Sequence, residues 1–399
     1  MMIGIFMKYL LMIPLLFGIL YAVNLNDILD NATQKNLMNQ AIEKEGRALA
    51  SKNLADTQTN PLTYNQSLAR ANGIGISGYE HEVSLSKEFK LGNIQSLEQK
   101  QNRLNNEAHL IEQEKYLVSF DNRLKNLYHQ YCLDVKYVRS FQESYNNMTK
   151  LYVKKKKAFK YGEIAKTELL QLKFEKNRLK ISLDNLSREE ESSRVQLLSL
   201  TTLDNNEMLS CQDTYPIVQE LSLETDSFQI SQKAHDKRIE STQVGLKRYA
   251  KKLESIEVSM AYSKELETDI YTLGVSIPLN LSSNKSQNER AALMYQSSAL
   301  ALQNEQNIAD KKYETELLKS RLSRNFRSIV AQEQNIDEYK NNLLPLMKKS
   351  YDYAESSVLE YLLSQHKLHT LQQELLEKQK TYYATLFQLY SISEIKETR

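Results

Sequence analysis

The chain has 399 residues, of which only 10 are Gly and 5 are Pro. Because these two residues terminate regular structure and form tight turns, their scarcity excludes loop-rich folds such as β-sandwiches, propellers and nucleotide-binding α/β enzymes. The 52 basic and 50 acidic residues nearly cancel and are interleaved along the chain. This pattern is typical of solvated helix faces, so we predict long helices and no nucleic-acid partner.

The N-terminus has the pattern of a secretory signal. Lys8 precedes an apolar run at residues 9–21, and translation could start at either Met1 or Met7. The run is shorter than the ~20 residues that a helix needs to cross a hydrocarbon core of ~30 Å, although an uncleaved anchor is the alternative. We therefore predict a signal peptide over residues 1–22 and no transmembrane helix in the mature chain.

Comparison of the sequence with itself reveals an internal repeat. A shift of 192 positions aligns Val83 with Val275, and the same shift aligns Glu168 with Glu360. Since separated blocks share one offset, we predict two copies of one structural unit. The predicted organisation is repeat 1 over 23–204, a linker over 205–221 and repeat 2 over 222–399.

Each unit is predicted to contain a helix, two strands, a long helix and a return helix. In repeat 1 the bounds are about 25–53, 61–71, 79–91, 93–160 and 163–200. In repeat 2 they are about 224–252, 254–263, 269–282, 286–353 and 355–389, with a capping box at 286–289. The first long helix has apolar residues at coiled-coil spacing, and a length of ~100 Å requires it to bundle into a rod or a tube.

The strand sequences alternate between apolar and hydrophilic residues. From Tyr271 to Leu281 every odd position is apolar, and the positions between are small or polar. Strands of about ten residues with one apolar face are typical of outer-membrane barrels, although a soluble sheet packed on the helices gives the same alternation. Four strands cannot close a barrel, so a sheet that lies in a membrane must be shared between copies of the chain. A dimer would supply 8 strands and a trimer 12.

This arrangement resembles the TolC-type outer-membrane efflux proteins over nearly all of the mature chain. The residues that carry the resemblance are the strand end at 274–279 and Gly162, followed six residues later by Glu168. The resemblance implies a mainly α protein with a small β part. It implies a homotrimer that shares a 12-stranded β-barrel in the outer membrane of a Gram-negative bacterium and continues as a periplasmic α-helical barrel of 12 helices.

The same resemblance implies a passive exit duct rather than an enzyme, with no cofactor. Substrate would arrive from an inner-membrane transporter and a periplasmic adaptor, and the outer-membrane lipid would surround the barrel. A soluble periplasmic coiled-coil scaffold or adhesin, whose strands pack on its own helices, is the alternative function.

The resemblance also implies roles for residues at the tips, where each long helix meets its return helix. Glu168 matches an acid that hydrogen-bonds a tyrosine of the other hairpin, and Tyr351 matches that tyrosine. Glu360 matches an acid that faces the lumen at the constriction, while a second luminal acid of the family falls at Leu363. Ala354 stands where the second tip Gly is expected. Read without the resemblance, both glutamates are ordinary solvated helix residues.

Four consecutive lysines lie within two helical turns of the first tip, at Lys154, Lys155, Lys156 and Lys157. They are candidates for adaptor docking. The alternative is a solvated helix end, where cations are favoured by the helix dipole.

Three other sequence patterns bear on possible functional sites. The glycine-rich run at 73–78 fits a dinucleotide fingerprint, but it lies between strands and is better read as a hairpin loop. His366 and His369 share a helix face without a third ligand, so we predict no metal site. Cys132 and Cys211 are expected at different heights along the tube, so we favour free thiols over a bridge.

Overall fold

The computed structural model describes residues 22–72, 77–204, 206–219, 221, 227–251, 253–278 and 284–395. The predicted signal peptide, apart from its last residue, and the first four residues of the glycine-rich run lie outside the described residues. Helices dominate, and the strands form one small antiparallel sheet, in agreement with the predicted mainly α class. No helix in the described part of the chain is long and apolar enough to cross a membrane.

The elements follow the same order in the two halves of the chain. The first half contains α1 (Leu25–Lys35), α2 (Leu37–Asp56), β1 (Thr63–Asn72), β2 (Ser77–Lys90), α3 (Ile94–Lys160) and α4 (Lys166–Leu198). The second half contains α5 (Gln229–Tyr249), β3 (Ser255–Lys264), β4 (Asp269–Ser276), α6 (Lys285–Glu338), a π-helical segment (Tyr339–Leu343), α7 (Leu344–Asp352) and α8 (Val358–Ile392).

Two of the predicted helices are interrupted. Asn36 ends α1 and begins α2, because its side chain accepts hydrogen bonds from the N–H groups of Met38 and Asn39 at 2.9 and 3.3 Å. In the second half, the π-helical segment separates α6 from α7, and Pro345 lies in the first turn of α7. Proline lacks the N–H that a continuous α-helix requires at this position, which explains the break.

The capping box predicted at 286–289 is wrong. The Ser286 hydroxyl donates instead to the Tyr249 carbonyl oxygen at 2.7 Å, so it joins α6 to the end of α5. Within the described chain, reciprocal capping boxes lie at Asn24, which begins α1, and at Ser357, which begins α8.

The four strands form a meander in the order β1-β2-β3-β4, with two chemically different faces. One row across the sheet consists of the apolar residues Tyr64, Leu85, Met260 and Leu273. The neighbouring row, on the opposite face, includes Ser86, Ser259 and Gly274. The apolar face is open, since Leu273 is 77% exposed and no helix packs across it in the described chain.

The hydrophobic core lies along the helices. α3 packs against α4, α5 and α8, while α6 packs against α5 and α8. Leu124 and Tyr128 of α3 and Leu386 of α8 belong to one continuous cluster of buried side chains. Each such side chain contributes about 1.5–3 kcal/mol when fully removed from water, so the long helices are held mainly by tertiary packing.

Cys132 and Cys211 form a disulfide bond, so the prediction of free thiols is wrong. Their Cα atoms are 5.4 Å apart, which is a usual distance for a bridged pair. A position of Cys211 near the upper end of the preceding return helix would keep the two sulfur atoms apart. The linker instead runs back along the helices, and this brings Cys211 beside α3.

Buried aromatic side chains hold the linker in this position. The Tyr128 hydroxyl donates to the Ser210 carbonyl oxygen at 2.7 Å, and the Tyr215 N–H donates to His129 Nε2 at 2.7 Å. The Tyr383 hydroxyl of α8 donates to the Tyr215 carbonyl oxygen at 2.6 Å. The linker is therefore bound to both α3 and α8, and its polar backbone atoms are satisfied where they are buried.

The two histidines of α8 differ strongly in environment. His369 is only 5% exposed, and its ring lies 4.9 Å from that of Phe141, whereas His366 is exposed. Burial lowers the pKa of His369 from 6.5 to about 4. Among the described residues, no group of three or more His, Cys, Asp or Glu side chains is placed to bind a metal ion.

This difference predicts a pH dependence of stability. The imidazole of the unfolded chain binds a proton near pH 6.5, whereas that of the folded chain does so only near pH 4. The contribution of His369 to the free energy of unfolding is therefore complete above pH 6.5 and is lost as the pH falls towards 4. The loss is about 3 kcal/mol. Urea unfolding at pH 7 and pH 4 should show a smaller difference for His369→Leu than for the unmodified protein. His366→Gln is the matched control, and equal pH dependence in all three proteins would contradict the prediction.

Candidate functional site

The tips of the two helical hairpins pack against each other. A small buried cluster joins α3, α4 and α8 close to the turns, and its members are Met148, Leu172, Leu179, Val358 and Leu362. This cluster is separate from the main core, so the tips have their own packing.

The two tip turns have the same backbone conformation. Gly162 and Ala354 both have positive φ angles, of 77° and 59°. In the first turn, Glu163 N–H donates to the Ala158 carbonyl oxygen and Gly162 N–H to that of Phe159, both at 3.0 Å. In the second, Glu355 N–H donates to the Ser350 carbonyl oxygen at 2.8 Å and Ala354 N–H to that of Tyr351 at 3.1 Å. Both are Schellman motifs, so the second turn is as sharp as the first although it lacks the expected glycine.

Ala354 in the second turn is predicted to give a lower free energy of unfolding than glycine would at this position. A residue with a Cβ atom loses about 1–2 kcal/mol in the left-handed region, while glycine loses more backbone entropy on folding. Ala354→Gly should therefore raise the free energy of unfolding by about 0.5–1 kcal/mol. The matched change Gly162→Ala should lower it, although no atom lies within 4 Å of the added Cβ. Equilibrium unfolding at equal protein concentration tests both, and effects of the same sign would contradict the argument.

Glu168 connects three helices at the tip. Its Oε1 atom accepts a hydrogen bond from the Tyr351 hydroxyl of α7 at 2.9 Å and one from the Lys155 ammonium of α3 at 3.2 Å. The Lys155 Nζ atom also lies 4.6 Å from the centre of the Tyr351 ring. The Tyr361 ring stacks on the Tyr351 ring, with ring centres 5.2 Å apart. We call Lys155, Glu168 and Tyr351 the tip lock.

The charge state of the tip lock follows from its partial burial. Burial opposes a charge on Lys155, but hydrogen bonds to Tyr351 and Glu168 outweigh it and raise the pKa of Lys155 above its ordinary value. Burial raises the pKa of the Tyr351 hydroxyl, and the hydrogen bond to Glu168 acts in the same direction while Lys155 opposes it. Both groups therefore remain hydrogen-bond donors at neutral pH.

The four consecutive lysines are not equivalent. Lys154, Lys156 and Lys157 are exposed, whereas the Lys155 side chain is 23% exposed and engaged in the tip lock. Successive helix residues point in directions about 100° apart, so a run of identical residues cannot share one environment. Sequence reasoning missed the inward position of Lys155.

Glu360 lies in the first turn of α8 and is exposed. Its Oε2 atom accepts a hydrogen bond from the Ser357 N–H at 2.8 Å, and its own N–H donates to the Ser357 hydroxyl at 3.2 Å. This is a capping box, which the spacing S-x-x-E at 357–360 indicates in the sequence. Leu363, three residues on, is 56% exposed.

No protein-family model and no curated protein matches this sequence. Several solved structures do. CusC is similar over 94% of this chain and 92% of its own, with a TM-score of 0.77 and 14% identity. The Campylobacter jejuni CmeC outer-membrane channel is similar over 92% and 85%, with a TM-score of 0.72 and 12% identity. The open state of the Neisseria gonorrhoeae MtrE outer-membrane channel is similar over 92% and 88%, with a TM-score of 0.72 and 14% identity.

The chain has the fold of the TolC-type outer-membrane channels. These three neighbours are described as channels. In a TolC-type fold, Glu168 and Tyr351 are the residues for which the resemblance implied a hydrogen bond between hairpins, and the structure contains this bond.

Proposed function

We propose that this chain is the outer-membrane exit duct of a tripartite efflux or secretion system. The observation that carries the proposal is a sheet with an exposed apolar face at one end of very long helices. α3 alone has 67 residues and spans ~100 Å. Exposure of the apolar side chains of Tyr64, Met260 and Leu273 to water is unfavourable, whereas their contact with the hydrocarbon of a lipid bilayer is favourable. The outer-membrane channels among the structural neighbours support the same function.

The sheet requires other copies of the chain. Within the described residues, β1 and β4 each leave one edge without a partner strand, and hydrocarbon provides no hydrogen bonds to an open edge. We infer a homotrimer in which edges pair between copies to form a 12-stranded barrel. A dimer with 8 strands would leave no open lumen. The row with Ser86, Ser259 and Gly274 would then face the lumen.

The helices would form the periplasmic α-helical barrel and carry the tips to the other partners. Substrate would enter there from an inner-membrane transporter, which supplies the energy. A periplasmic adaptor would dock on the exposed lysines Lys154, Lys156 and Lys157. Glu360 would lie near the aperture, with its carboxylate also serving as a helix cap.

Membrane fractionation combined with the mass of the detergent-solubilised protein tests this function. We expect the protein in the outer-membrane fraction and as a trimer. Leu273→Lys should reduce insertion, since a lysine facing lipid costs about 2–4 kcal/mol at mid-membrane. Thr272→Lys, one residue away on the hydrophilic face, is the matched control. Recovery in the soluble periplasm, or as a monomer, would favour a periplasmic scaffold and contradict the duct.

A further inference from the structure

Lys155 differs from its three neighbours in what it contacts. Its ammonium lies 3.2 Å from Glu168 Oε1 and 4.6 Å from the centre of the Tyr351 ring, so it touches both partners of the hydrogen bond between hairpins. The Lys155 and Tyr351 donors converge on the same oxygen atom. Both bonds are charge-assisted because the acceptor is a carboxylate, and Lys155 is the partner that also places a positive charge beside that oxygen.

The geometry points to Lys155 as a positioning residue of the tip lock: it holds the Glu168 carboxylate where the Tyr351 hydroxyl can reach it. This inference rests on the proposed function and adds a third helix to the closed aperture. Glu168 lies in the first turn of α4 and Lys155 on α3, so Lys155 also braces the two helices of one hairpin against each other. Without the ammonium, the carboxylate would keep a single neutral donor and could turn towards water.

Conductance of the purified protein in planar bilayers tests this role. Lys155→Met should raise the conductance several-fold, and Lys155→Arg should restore values near those of the unmodified protein. Lys160→Met removes an exposed lysine from the same helix and should have no effect. The conductance of the double variant Lys155→Met with Tyr351→Phe should be close to that of each single variant, because both changes disrupt the same cluster.

Two outcomes would overturn the inference. One is a conductance of Lys155→Met equal to that of the unmodified protein, and the other is full additivity with Tyr351→Phe. Failure of the proposed function looks different, since the unmodified protein would then form no channels at all.

A second, independent observation concerns the backbone of the second hairpin. The π-helical segment Tyr339–Leu343 separates α7 from α6, whereas the equivalent stretch at 147–151 lies inside the uninterrupted helix α3. Val153 in α3 corresponds to Pro345 in the second hairpin. π-Helical turns recur at functional sites, and one paired with proline weakens the helix locally.

The contacts on the two sides of this segment differ. At its start, the Tyr339 hydroxyl donates to the Ser364 carbonyl oxygen at 3.0 Å and so fixes the end of α6 to α8. Beyond it, no residue of α7 is buried, and Tyr351 joins α7 to the tip lock. We infer that the segment is a hinge, about which α7 swings when the tip lock opens, while α3 and α6 stay in place.

Hydrogen exchange and conductance together test the hinge, which also rests on the proposed function. In the double variant Tyr351→Phe with Glu168→Gln, amides at 339–344 should exchange at least tenfold faster than those at 147–152. Adding Pro345→Ala to that variant should lower its conductance, because a regular helix then becomes possible, whereas adding Val153→Ala should not. Equal exchange in the two stretches, or equal conductance with Pro345→Ala and Val153→Ala, would overturn the hinge. Absence of any channel would count against the proposed function instead.

Discussion

Replacing Tyr351 by Phe and Glu168 by Gln should raise the conductance of the reconstituted protein several-fold. The first change removes the hydroxyl that donates to Glu168 at 2.9 Å, and the second removes the charge that also binds Lys155. Hydrogen bonds to charged groups contribute about 1.5–3 kcal/mol each. In the proposed trimer the loss would occur in every copy, so a closed state held by this cluster would lose most of its free-energy advantage over an open one. Planar-bilayer recordings measure the effect directly.

A matched control for this experiment lies in the same aromatic stack. The Tyr361 ring stacks on Tyr351, but its hydroxyl contacts Gln365 and not the lock. Tyr361→Phe keeps the ring and should leave the conductance near its original value. An unchanged conductance in the variant of Tyr351 and Glu168 would show that these residues do not hold the aperture closed.

Removal of the disulfide by Cys132→Ser and Cys211→Ser should lower the free energy of unfolding by about 4 kcal/mol. The two cysteines are separated by 79 positions, so the bond restricts a long loop of the unfolded chain. Thermal or urea unfolding at fixed protein concentration measures the loss, since the stability of the proposed trimer would depend on concentration.

Treatment with a reductant provides the control for this change. It should destabilise the unmodified protein by a similar amount and leave the double serine variant unaffected. Equal stability of the oxidised unmodified protein and the double serine variant would contradict the prediction. It would mean that the hydrogen bonds of Tyr128 and Tyr215 hold the linker without the disulfide bond.

Periodic features of the sequence determined most of the architecture. The alternation of side chains predicted a strand at about 79–91, where the structure has Ser77–Lys90, and heptad spacing predicted a helix at about 93–160, where it has Ile94–Lys160. Such patterns are readable because a helix or a strand repeats the same environment at a constant interval. The repeat offset also aligned Glu168 of the first tip with Glu360 of the second, whereas Tyr351 was implied only by the family resemblance.

Only the tertiary structure decided which side chains meet. The bond between Cys132 and Cys211 depends on the path of an irregular linker, which has no periodicity to read. The contact of Lys155 with Glu168 depends on how α3 is rotated about its axis against α4, and four adjacent lysines carry no signal of that rotation. Sequence patterns describe one element at a time, whereas these contacts are fixed by the packing of several elements, and that is the physical reason why the tip lock became complete only in three dimensions.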